Sequence, residues 1–155
     1  MTTLIFGKAE ILSQTETDER RQQEGLELTN EAGLYRKDPP WQLCEQVVRA
    51  IDTGRGNSYC CLATSYNTYV QALRGVNGYI LEWRVTDPVD QSYIHYRACH
   101  LAGSAGSIVL KKHDSRQESG EQRDLMSVDD VVDAFRSFYR NEEMPAWLEW
   151  RKYEI

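Results

Sequence analysis

The chain has no apolar run approaching the ~18 residues needed to cross a bilayer. Its opening residues, Met1 to Lys8, show no basic region followed by a long apolar stretch. Neither a membrane span nor a secretory signal is expected, and the reading is of a cytoplasmic protein. Basic charge is not in excess either: 18 Lys and Arg stand against 24 Asp and Glu, a net charge of -6. That balance argues against non-specific nucleic-acid binding, which wants a basic surface. It suits solubility and a basic protein partner. Cysteine is sparse: Cys44, Cys60, Cys61 and Cys99. In a reducing compartment these read as buried thiols rather than disulfides. Neighbours on a strand point to opposite faces, so neither Cys60-Cys61 nor Cys99-His100 can chelate one metal, and no metal site is expected. A Cys–His nucleophile, from Cys60 or Cys61 with His95 or His100, would need a thiolate-stabilising setting that nothing in the sequence supplies. Gly103 to Gly106 lacks the downstream Lys-Ser/Thr pair of a phosphate loop, and Gly75-Val76-Asn77-Gly78 has no dinucleotide fingerprint around it. No cofactor is expected.

What is present suits one α+β domain spanning residues 1–155. At 155 residues with 41% apolar content, a core can form without staples. Residues 3 to 12 could form an edge strand, and residues 13 to 38 are a polar arm, a solvated loop or a short exposed helix. Leu26 and Leu28 alternate with charged residues, so a short strand there could pair back onto the first. After Asp38-Pro39-Pro40, apolar residues at Cys44, Val47, Val48 and Ile51 fall at i, i+3, i+4, i+7, which predicts a helix over about 40–52. Gly54 would take its left-handed cap. Strands are predicted over 58–64, 68–74, 79–85 and 93–99. Asn77-Gly78 suits a tight hairpin turn with positive φ. Ile108-Val109-Leu110 is a further short strand, and Lys111 to Asp124 a polar loop. Ser127 with Asp130 forms a capping box for a second helix over about 128–140, whose stripe is Val131, Val132, Phe135, Phe138 and Tyr139. Residues 146–153 are a last strand or an extended tail. The expected architecture is an antiparallel sheet of about five to six strands with two main helices on one face.

Alternation puts Tyr79, Leu81, Trp83 and Val85 on one face with Ile94, Tyr96 and Ala98, which is the core side. The opposite side carries Glu82, Arg84, His95 and Arg97, and Gln71 joins them from the preceding strand. If the strands are neighbours, these side chains fall within cross-strand reach. They form either a charged binding surface, a carboxylate–histidine acid/base pair, or a solvated face laced with weak ion pairs. Trp147 and Trp150 could anchor an interface, although such residues more often close a core.

One layout combines a polar N-terminal arm, one helix, a sheet containing Tyr69-Val70-Gln71 and Leu81-Glu82-Trp83-Arg84, a late helix through Ala134-Phe135-Arg136-Ser137-Phe138-Tyr139, and the tail Trp147-Leu148-Glu149-Trp150. Over residues 40 to 155 it resembles the small cytoplasmic immunity proteins of bacterial polymorphic toxin systems. The resemblance implies a non-catalytic protein that binds and blocks a cognate toxin, often a nuclease or deaminase. Such a partner would be basic, and Gln71, Glu82, Arg84, His95, Arg97, Trp147 and Trp150 are the expected contacts. A small enzyme using Glu82, His95 and the arginines, or a homodimeric regulatory subunit joined at a sheet edge, remain the alternatives.

Overall fold

The computed structural model describes residues 25–52, 56–75, 77–101, 107–111 and 117–153. Its centre is a meander of four strands: β3 (Tyr59–Ala63), β4 (Tyr69–Arg74), β5 (Tyr79–Thr86) and β6 (Tyr93–His100). Two shorter strands precede it, β1 (Glu27–Asn30) and β2 (Tyr35–Lys37). A hairpin of β7 (Ser107–Lys111) and β8 (Gln117–Glu121) follows, then a single 3-10 turn (Gln122–Asp124). The last strand is β9 (Leu148–Lys152). Among the described residues, seven strands form one antiparallel sheet in the order β2-β1-β3-β4-β5-β6-β9, and β7 and β8 pair apart.

The sheet is wider than the sequence predicted because β2, a segment read as part of the polar arm, also pairs. Leu26 and Leu28 are fully buried, and β1 docks between β2 and β3 rather than in a long-looped hairpin. The proposed partner strand at residues 3–12 lies outside the described residues. β2 is three exposed residues, too short for a period to show, and its Arg36 and Lys37 place charge on the sheet edge, which discourages further pairing. The polar loop expected over Lys111 to Asp124 contains β8 and the 3-10 turn.

Two helices cover one face. The apolar stripe of α1 (Trp41–Arg49) buries Trp41, Cys44, Val47 and Val48. The helix ends at Arg49, three residues before the predicted limit, with Ala50 as its C-cap, and Gly54 lies outside the described residues. The second helix, α2 (Val128–Tyr139), starts at the predicted capping box: Ser127 Oγ accepts from the Asp130 amide, and Asp130 accepts from the Ser127 amide. It buries Val131, Val132, Ala134, Phe135, Phe138 and Tyr139. The helices meet through the Trp41 and Tyr139 rings, 5.6 Å apart at 60°. Tyr139 Oη also donates to the Pro39 carbonyl at 2.9 Å, tying the end of α2 to the entrance of α1. Beneath them lie Leu28, Cys60, Leu62, Val70, Ala72, Leu81 and Ala98, one alternating side of the sheet.

In the β4–β5 turn Gly78 takes a positive φ of 151°. Gly75 N–H donates to Gly78 O, and Tyr79 makes a two-bond bridge with Met126. A Cβ on Gly78 would meet the Met126 carbonyl at 3.4 Å, an ordinary contact, so it is the positive φ that favours glycine at this position.

Candidate functional site

The polar side of the sheet is assembled by register. Gln71, Glu82, Arg97 and Arg151 sit in one row across β4, β5, β6 and β9, and Tyr69, Arg84 and His95 in the row beside it. The side chains follow the rows. Gln71 Nε2 donates to Glu82 Oε1 at 2.8 Å, and Arg97 Nη2 donates to Glu82 Oε2 at 3.0 Å. Arg97 also lies over the Tyr153 ring, 4.5 Å from its centroid. Tyr69 Oη and His95 Nε2 share a hydrogen bond of 3.0 Å. The His95 ring is met edge-on by Tyr69, Tyr93 and Tyr153, at 5.7, 5.8 and 5.7 Å. Arg84 stacks 3.6 Å over Tyr93 and is held by rings; among the described residues it has no carboxylate partner.

This side is not solvated. Glu82, Arg97 and His95 are 1%, 4% and 5% exposed, and Gln71 and Arg84 are half-buried. The expected weak surface pairs are replaced by a desolvated Glu82–Arg97 pair, for which surface values do not apply. A carboxylate–imidazole pair between Glu82 and His95 would run along a diagonal, whereas the contacts made run straight across the strands. The arrangement fixes charge in place and braces three strands. A partner docking on this side would reach the half-buried Arg84 before the buried residues of the face.

The two C-terminal tryptophans separate. Trp150 packs against Trp83, centroids 5.1 Å apart, and is part of the core. Trp147 is exposed and stacks on His100 at 5.5 Å and 19°. His100 in turn meets the Asp130 carboxylate of the capping box at 3.1 Å.

The thiols are dispersed and shielded. Cys44 and Cys60 face the core, Cys61 the polar side, and Cys99 lies beside Glu149, to which its Sγ donates at 3.7 Å. Burial pushes Cys61 up to about 12 and raises Cys60 and Cys99 as well. A thiolate is therefore scarce at neutral pH. Aromatic disulfide reagents at mildly alkaline pH are expected to leave all four cysteines unlabelled in the native protein and to label all four in guanidinium. Rapid labelling of any one before unfolding would show a reactive thiol that this geometry does not provide. Among the described residues, no three His, Cys, Asp or Glu side chains converge as metal ligands do.

Sequence reasoning passed over the other end of the sheet. The β5–β6 connection carries Val89 at 90% exposure, and Tyr66, Tyr93 and Ile94 are exposed at the same sheet end. The available signal was an apolar residue set between Pro88 and Asp90, where a turn normally places polar ones. No family model, curated protein or solved structure matches the chain.

Proposed function

We propose that this chain is a non-catalytic immunity protein that binds and neutralises a cognate bacterial toxin, a basic protein such as a nuclease or deaminase. The observation that carries the reading is the state of the polar sheet side: Glu82, His95 and Arg97 are buried and engaged by cross-strand contacts. Glu82 is engaged by Gln71 and Arg97, His95 by Tyr69, and burial keeps the raised thiols protonated. Such a scaffold holds its shape and offers its outer surface. The net charge of -6 favours association with a basic partner through long-range steering. The resemblance over residues 40 to 155 supplies the class of partner.

Co-expression with the toxin encoded beside its gene is the test. Growth should be restored, and the two proteins should co-purify with an affinity that weakens as salt rises. Continued toxicity with the protein well expressed, and no complex by calorimetry, would remove the reading.

A further inference from the structure

The sheet end made by the β3–β4 turn and the β5–β6 loop is built unlike the rest of the surface. The two connections are bound together: Thr86 Oγ1 donates to Asn67 O at 2.8 Å, and the Thr86 amide donates to Thr68 Oγ1 at 2.9 Å. The loop itself is cross-braced. Asp87 N–H donates to Ser92 O at 2.7 Å, and Gln91 N–H to Asp87 O at 2.9 Å. Asp87 Oδ1 accepts from the Val89 amide at 2.7 Å and the Asp90 amide at 3.4 Å. Asp90 Oδ1 accepts from the Ser92 amide and hydroxyl at 2.9 and 2.7 Å. Gln91 sits at φ 65°, a conformation that a non-glycine residue keeps only where surroundings hold it. The apex of this braced loop is Val89, a side chain left 90% exposed among the described residues. Tyr66, Tyr93 and Ile94 are exposed at the same sheet end, and Arg84 stacked on Tyr93 steadies that ring.

We infer that this sheet end is the docking surface for the toxin, with Val89 entering an apolar pocket on a folded basic protein and Asp87 and Asp90 meeting Lys or Arg at the pocket's rim. The inference rests on the immunity reading and names its contact surface. Three features favour that occupant. A preorganised loop loses little freedom on binding. Exposed tyrosines around an apolar anchor match the composition of interface hot spots. The rim carries only acid from its own loop, so it complements a basic surface. The same charges count against other occupants. A two-fold contact with a second copy would set acidic loops against each other, and nucleic acid or an anionic membrane would be repelled.

The test uses a catalytically inactive form of the toxin encoded beside the gene, titrated with wild-type protein, Val89→Asp, Asp90→Asn and Glu142→Gln. Val89→Asp should weaken binding about tenfold to a hundredfold with an unchanged melting temperature. Asp90→Asn keeps an acceptor for Ser92 and should slow association and flatten the salt dependence. Glu142→Gln, an exposed site after α2, should bind as wild type. If wild type binds and the loop variants bind equally well, the toxin reading stands and this docking surface is wrong. If wild type does not bind, the reading falls and the surface with it. A wild-type dimer that Val89→Asp dissolves would identify a second copy as the occupant and overturn the assignment.

Discussion

Arg97→Ala is expected to lower the unfolding free energy by about 3–5 kcal/mol, the range for removing one partner of a buried ion pair. The loss is large because of what remains. The Glu82 carboxylate is 2% exposed at the side chain and would keep the Gln71 amide but lose the guanidinium that neutralises it. Arg97 also covers the Tyr153 ring, so packing is lost along with charge. In urea the midpoint should fall with little change in slope, since the surface exposed on unfolding is nearly the same. The double replacement Glu82→Met with Arg97→Met separates charge from packing. It should be more stable than Arg97→Ala, because neither charge is then stranded. A single-variant loss under about 1 kcal/mol would mean that the pair behaves as a solvent-screened one. The brace described for this side of the sheet would then be wrong.

Phe135→Ala should be comparably severe, at about 3–5 kcal/mol. Phe135 is fully buried on the stripe of α2 that faces the sheet, among Val131, Val132 and Tyr139. Truncation removes a ring's transfer free energy and leaves a hole that two helices and a sheet, tied together by Tyr139 and Pro39, close only in part. At roughly 2–4 °C per kcal/mol for a chain of this size, the fall in melting temperature is easily resolved by calorimetry. Phe135→Leu keeps much of the volume and should cost about 1 kcal/mol. Equal effects of the two substitutions would falsify a tightly packed site.

The helices were legible in the sequence because each presents a period of 3.6 against one apolar layer. Cys44, Val47 and Val48 face inward as the spacing required, and Ser127 and Asp130 cap α2 as their separation allowed. The meander was legible too, since its alternation holds, and Trp83 opposite Tyr96 bears out the inner part of the expected core face. Ile94, expected on that face, is exposed because it sits at the sheet end beyond the helices' cover. Three things were not. β2 and β8 are too short, or too polar, for a period to emerge. The desolvation of Glu82, His95 and Arg97 is a tertiary outcome: alternation says which way a side chain points, and only packing decides whether water follows it. The exposure of Val89 had the converse problem, since apolar residues default to burial in any sequence reading.

The placement of β9 gives the sheet an order of assembly. Strands β3 to β6 are joined by short connections, so each pairs with a neighbour almost as soon as both exist. Leu148 reaches His100 only after the β7–β8 hairpin and α2 have intervened, a connection about ten times longer than the turns of the meander. Each doubling of loop length adds about 0.6 kcal/mol of closure entropy, so this seam carries roughly 2 kcal/mol more than a hairpin does. That difference shrinks once α2 has packed, because its lead-in is already bridged to β5 through Met126 and Tyr79 and draws the chain back toward the sheet. The long way round is shortened by the helix that lies along it.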